Sequence, residues 1–298
     1  MTTPYVTVGV NGSIIAVRAL DRAAREAELR GATLDIVYAV ADTDEAGPIL
    51  ASAVTRTRER HPRLPVTASA AEGGAVQALL RHGRDAALTV VGARGLGTLA
   101  GLVLGSVSLR MAAYSHGPLL VVGGDRRPHG GDVLLGLESD ADADVAAFAF
   151  EEAVRRGAGL RILHAWGRPH LLPEQAPIPT RRVADELARH ARTVQAVPRF
   201  AVAALREQYA DVEVQTRSVR SGPVHALLEA TREAAVVVVG GRRRPGLAGP
   251  PRGPVTHALL HRSHCPVLFV PTGHAGHAGD GGDGGDGGGA GHAGTTLG

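Results

Sequence analysis

The sequence contains no lysine, so all 32 residues in its lysine-plus-arginine total are arginine. A Walker A loop, a Schiff-base nucleophile and a pyridoxal phosphate site each need a lysine amine, and all three are excluded. There is one cysteine, Cys265, so no internal disulfide can form, and no Cys/His group has zinc-ligand spacing. Cys265 precedes Pro266 at the mouth of an expected strand and reads as a half-buried structural thiol. Aromatic residues make up 3 % of the chain, which leaves few platforms for stacking on exposed bases. A net charge of +3 over 298 residues is too slight for a phosphate-backbone footprint, so nucleic acid is not expected as a partner. No run reaches the roughly 18 apolar residues that a membrane span requires, and the opening Met1-Thr2-Thr3-Pro4-Tyr5 lacks a basic-then-apolar leader. The expectation is a cytoplasmic protein without a membrane partner.

What the chain does have is a hydrophobic content of 44 %, ample for two cores, arranged as short apolar runs alternating with longer amphipathic segments. This pattern predicts βα units and parallel sheets. Strands are expected near 5–10, 33–39, 64–70, 87–91 and 118–122, with helices near 14–30, 46–60, 74–84 and 106–115. The most informative segment follows the fourth strand. After Ala87-Leu88-Thr89-Val90-Val91 come Gly92 and Gly95, nine further residues, then Gly105-Ser106. Glycines can bring bare backbone N–H groups against an anion, and a helix opening at Ser106 to Ser108 carries partial positive charge at its start. The segment reads as a phosphate loop, although Ser106 and Ser13 are each also good helix N-caps in the absence of any ligand.

The same pattern returns downstream. Gly240 follows Gly92 by 148 residues, Pro266 follows Pro118 by 148, and Glu138 follows Asn11 by 127. The change of offset places a longer connection in the second copy, mostly from Gly167 to Thr180 and the helix after it. Strands of the second copy are expected near 132–137, 160–165, 212–218, 235–239 and 266–270. The resulting organisation is a first domain over 1–124, a linker over 125–131, a second domain over 132–272 and a tail over 273–298. The tail is glycine, histidine, alanine and aspartate with almost nothing to bury, and is expected to be disordered. Its His274, His277 and His292 have no spacing that would fix a metal geometry.

The loop from Gly92 to Ser106, the opening Val6-Thr7-Val8-Gly9-Val10-Asn11-Gly12-Ser13 and the closing His116-Gly117-Pro118-Leu119-Leu120-Val121-Val122 together resemble the universal stress protein family. The resemblance implies two tandem five-stranded, doubly wound α/β sheets of the adenine nucleotide alpha hydrolase-like kind. It also implies that one branch of the family binds ATP through this loop. The adenosine would meet Gly9, Val10, Asn11 and Ala39. The triphosphate, with magnesium as its companion ion, would lie on Gly92, Gly95, Gly105, Ser106, Val107 and Ser108, with Arg94 adding charge. ATP-binding members usually carry aspartate where Asn11 stands, so the negative charge is lost here while an acceptor oxygen remains.

The second copy departs further from the pattern. Arg243 replaces the second glycine, and Pro254, with neither N–H nor hydroxyl, replaces the serine after Gly253. The run Arg242-Arg243-Arg244 reads as a solvated surface. A degenerate second site is expected, in a domain whose main role is pairing with the first. Edge strands Leu119 to Val122 and Val267 to Val270 are expected to cover one another as an intramolecular pseudo-dimer, with a homodimer as the alternative. Other chemistry is thin. His116 and His264 have no neighbouring serine and acid, His164 reads as packed, and the acidic run from Glu138 to Asp144 reads as the start of a helix. Three functions remain open: a protein that binds ATP as a regulatory ligand and is not an enzyme, a nucleotide-independent pairing module, and a slow nucleotide hydrolase or phosphotransferase.

Overall fold

A computed structural model describes residues 3–40, 46–93, 105–123, 131–139, 142–166, 202–242 and 253–272. In the first half, β1 (Tyr5–Val10), β2 (Thr33–Val40), β3 (Val66–Glu72), β4 (Leu88–Gly92) and β5 (Leu119–Val122) alternate with four helices. These are α1 (Ile14–Leu29), α2 (Gly47–Arg60), α3 (Ala75–His82) and α4 (Ser106–Tyr114). The second half has β6 (Asp132–Gly136), α5 (Ala143–Arg156) and β7 (Leu160–Trp166), then α6 (Ala203–Gln208), β8 (Val214–Arg220) and α7 (Pro223–Ala230). It closes with β9 (Ala234–Arg242), α8 (Pro254–Arg262) and β10 (Val267–Thr272). β3, α3 and α4 recur as β8, α7 and α8 at the 148-residue offset read from the sequence. The expected connection from Gly167 to Thr180 and the helix after it lie outside the described residues, as do all of the expected linker 125–131 except Gly131, and the tail.

The two expected sheets merge into one. Strand order is β3-β2-β1-β4-β5-β10-β9-β6-β7-β8, parallel within each half and antiparallel only where β5 meets β10. Val121 opposes Val267, Leu120 opposes Leu268 and Leu119 opposes Phe269, so each apolar edge is covered by the other within one chain. The order in which strands are laid down reverses about β1 in the first half and about β6 in the second. That leaves a crevice at the carboxyl ends of β1 and β4, where doubly wound sheets take their ligands.

Small side chains set how closely the helices lie on the sheet. α1 buries Ala16, Ala19, Ala23, Ala24 and Ala27 around Leu20, an alanine-rich stripe at helical spacing. Its start is capped as expected, with Ser13 Oγ accepting from the Ala16 N–H at 3.2 Å. α4 corrects the sequence reading: Gly105 is its N-cap and Ser106 its first helical residue, so Ser106 makes no side-chain cap. The acidic run leads into α5 as expected, but Asp142 folds back instead of capping that helix, and its Oδ2 accepts from the N–H groups of Glu138 at 2.8 Å and Ser139 at 3.1 Å. His164 is packed, its Nδ1 3.0 Å from the Leu137 carbonyl.

Over the seam between β5 and β10, α1 and α5 share a buried ionic cluster that the sequence reading does not single out. Glu26 and Glu152 are both fully buried. Glu26 accepts from Arg22 Nε at 2.8 Å, from Arg30 Nη1 and from Arg156 Nη2 at 2.8 and 2.9 Å. Glu152 accepts from Arg30 Nη2, from Arg155 Nη1 at 3.1 Å and from Arg156 Nη2 at 2.6 Å. The pairs Glu26–Arg30 and Glu152–Arg156 stand at equivalent places on the two helices, and each arginine bonds both its own helix's glutamate and the other's.

Candidate functional site

A cavity of about 240 Å³ opens at the carboxyl ends of β1, β2 and β4, where the winding reverses. β1 and the turn after it contribute Gly9, Val10 and Asn11; β2 contributes Val37 and Ala39; β4 contributes Val91 and Gly92. The start of α4 contributes Gly105, Ser106, Val107 and Ser108. Gly9, Val10, Asn11, Ala39, Gly92, Gly105, Ser106, Val107 and Ser108, scattered over a hundred positions of sequence, therefore line one space. Arg94 and Gly95 lie outside the described residues.

Each wall has a local cause. A Cβ on Gly9 would stand 2.9 Å from Leu79 Cδ1, so any larger residue there would push the Leu79 side chain out of its present position. The loop's two ends are tied together: the Ala93 N–H donates to the Val122 carbonyl at 2.8 Å, and the Gly105 N–H donates to the Ala93 carbonyl at 2.8 Å. Ser108 is fully buried, with its hydroxyl 2.9 Å from the Gly105 carbonyl and 3.2 Å from the Ala93 carbonyl. Its side chain closes the loop, and the Gly105 N–H is also engaged. The donors left for a ligand are the backbone N–H groups of Ser106, Val107 and Ser108, in the first turn of a helix whose ladder supplies them no acceptor. Ser106 itself is exposed.

Asn11 is committed on one side. Its Oδ1 accepts from the Ser13 N–H at 3.1 Å and the Ser13 hydroxyl at 2.7 Å, closing a turn at the end of β1. The amide nitrogen, and not the oxygen, is what Asn11 offers the cavity. Sequence reading missed Ala16, Val37, Ala75, Leu79 and Val91, the apolar part of the lining. Ala75 and Leu79, four apart on α3, carry a helical-face signal that reads as core.

At the equivalent place in the second half the backbone differs. β4 and β5 stop pairing at Gly92 opposite Val122. β9 and β10 continue past the matching pair, Gly240 opposite Val270, through Pro271 opposite Gly241 to Thr272 opposite Arg242. Gly241, which matches Ala93, is thus within the strand, whereas Ala93 lies just past the end of β4. Pro254 occupies the first position of α8, as Ser106 does in α4.

Cys265, at the foot of β10, is half-buried, and burial pushes its thiol up to about 11, against the weaker pull of a Ser263 hydroxyl contact. A thiol held protonated at neutral pH is a poor nucleophile. Alkylation of the native protein is expected to be at least tenfold slower than of the urea-unfolded chain, a ratio read directly by mass spectrometry. No helix among the described residues is long and apolar enough to cross a membrane.

Comparison with known proteins agrees with this architecture. The model of the universal stress protein family matches twice, over residues 5–123 and 131–271. A universal stress protein of Mycolicibacterium smegmatis is 32 % identical over 292 residues, covering 89 % of this chain and 96 % of that one. Universal stress protein Rv1996 of Mycobacterium tuberculosis is 30 % identical over 307 residues, covering 88 % and 93 %. Among solved structures, PA1789 of Pseudomonas aeruginosa superposes with a TM-score of 0.64 at 16 % identity, over 91 % of this chain and 93 % of that one. A universal stress protein of Archaeoglobus fulgidus gives 0.61 at 15 % identity, over 92 % and 100 %. The strand order, the doubled family match and relatives of this similarity along most of their length lead to one conclusion: the chain is a tandem member of the universal stress protein family.

Proposed function

We propose that the chain binds ATP in the first-half cavity as a regulatory ligand in stress-response signalling. The observation that carries this reading is the meeting, at one switch-point crevice, of an apolar wall with the first-turn amides of α4. Val37, Ala39, Leu79 and Val91 suit a flat base, while Ser106, Val107 and Ser108 offer backbone donors and the positive end of a helix to phosphate. Asn11 stands at the adenosine end as a donor. It suits a ring nitrogen or the oxygen of a ribose hydroxyl, but gives up the charged acceptor that an aspartate would supply.

The described lining holds no carboxylate, histidine or cysteine. A magnesium ion would therefore enter on the triphosphate and be held by phosphate oxygens and water, with the exposed Ser106 hydroxyl on the described lining available to it. The same lining offers no general base for a water nucleophile, which favours a bound regulator over a substrate that turns over. Domain boundaries at 124 and 132 follow the repeat, and the second domain is read as a degenerate site. Its β9–β10 ladder runs on to Thr272 opposite Arg242, and Pro254 removes a donor.

Isothermal titration of the full chain with ATP and magnesium tests the reading. Saturable binding with one site per chain is the expected result. No heat at about millimolar nucleotide would leave the pairing module as the better description, a reading that the direct join of the two halves through β5 and β10 supports. Phosphate release above about one turnover per minute would promote the hydrolase.

A further inference from the structure

On the opposite side of the molecule's chemistry, a cleft of about 590 Å³ lies where the two halves meet. α1 brings Arg22, Arg25 and Glu26 to it, and the second half brings Arg156, the turn Gly157 to Gly159 and Asp132. We propose that this cleft is a binding site for a small oxyanion of the phosphate class, gripped by guanidinium groups from both halves.

Three observations support it. Hydrogen-bond capacity is left over. Arg22 engages its Nε with Glu26, and Arg156 engages its Nη2 with Glu26 and Glu152; the other nitrogens of both groups bond no protein atom among the described residues. Arg156 Nε is buried without any partner. Charge is also left over. Among the described residues the cluster of Arg22, Arg30 and Arg156 has Glu26 and Glu152 as its fully buried counter-charges and Asp132 as a further carboxylate on the lining, and Arg25 adds a cation at the rim. Crowding shows in Arg22, whose ionisation is pulled down by burial and then by the neighbouring Arg156, against the opposing attraction of Glu26. The acceptors beside the cleft have partners of their own: Asp132 forms an ion pair with Arg161 at 3.7 Å, and the Val154 and Ala153 carbonyls of α5 accept from the N–H groups of Gly157 and Ala158. Planar guanidinium forks with open nitrogens match a tetrahedral oxyanion in geometry as well as in charge.

An oxyanion seated there touches α1 of one half and the end of α5 of the other, so it clamps the pair. The probes are inorganic phosphate and pyrophosphate, titrated at constant ionic strength into the full chain while the unfolding temperature is followed, with binding measured by calorimetry. Because the α4 loop could also take phosphate, the titration is repeated in Gly105→Arg. A saturable rise is expected in the wild type and in Gly105→Arg. In Arg25→Gln, an exposed position that carries no packing, the affinity is expected to fall about tenfold, and in Arg22→Gln the response should vanish. The proposal is overturned if phosphate and pyrophosphate give no saturable effect up to about 10 mM. It is equally overturned if the response survives unchanged in both arginine variants, or if it disappears in Gly105→Arg, which would place the anion at the α4 loop.

Discussion

Glu26→Gln is expected to destabilise the folded chain by about 3–5 kcal/mol, the usual cost of removing one partner from a buried ionic cluster. Glu26 is fully buried and bonded by Arg22, Arg30 and Arg156. A neutral amide leaves those three guanidinium groups with Glu152 as their fully buried carboxylate. Equilibrium urea unfolding reads the loss directly, and a change below about 1 kcal/mol would show that water or chain relaxation compensates. The same cluster predicts a pH dependence. Burial by itself would raise the Glu26 pKa, but the charges of Arg156, Arg22 and Arg30 outweigh it and lower it from 4.5 to about 2. A carboxylate depressed in the folded state contributes its stability above the unfolded value and loses it as pH falls through the folded one. Wild-type stability should therefore decline between about pH 5 and pH 2, by roughly 2–4 kcal/mol from this group, and Glu26→Gln should flatten that part of the curve.

Gly105→Arg is expected to weaken ATP binding at least about 100-fold while leaving the fold intact. Gly105 is buried, lines the cavity and sits at φ −62° and ψ 136°, a conformation open to any residue. The cost of a large side chain there falls on the ligand's space and not on the backbone. Ser106→Ala removes one exposed hydroxyl and keeps the amide, so a loss of about three- to tenfold is expected. Gly253→Arg, at the matching place in the second half, should leave ATP affinity unchanged. Calorimetry on the three variants, with circular dichroism as the control for folding, separates the two halves. If Gly253→Arg abolished binding and Gly105→Arg did not, the functional half would be the second.

The βα alternation, the repeat with its two offsets and the start of α4 at Ser106 were legible because each is written in local pattern. Val6 to Val10 and Leu88 to Val91 are strands on composition and length alone, and glycines before a polar helix start declare a loop whatever surrounds them. The glycine and serine part of the cavity was legible for the same reason. Its apolar wall was not, since Ala75 and Leu79 give the same signal whether they face a sheet or a ligand. Ser108 and Gly105 were read as phosphate-loop residues, but tertiary closure turns the Ser108 hydroxyl and the Gly105 N–H onto the Ala93 carbonyl and leaves the Ser108 N–H to a ligand.

The sequence by itself determined the fold class, the tandem organisation and the position of the candidate nucleotide loop, because strand, turn and helix-start signals act over a few residues. Only the tertiary structure decided that β9 and β10 stay paired beyond Gly240 and Val270, and that Glu26 and Glu152 are buried together. An i,i+4 glutamate–arginine pair looks the same in sequence on a wet helix face and at a dry seam. What separates them is the partner helix, and Arg156 reaches Glu26 across 130 residues of intervening chain only because β5 and β10 pair edge to edge and bring α1 and α5 together above them.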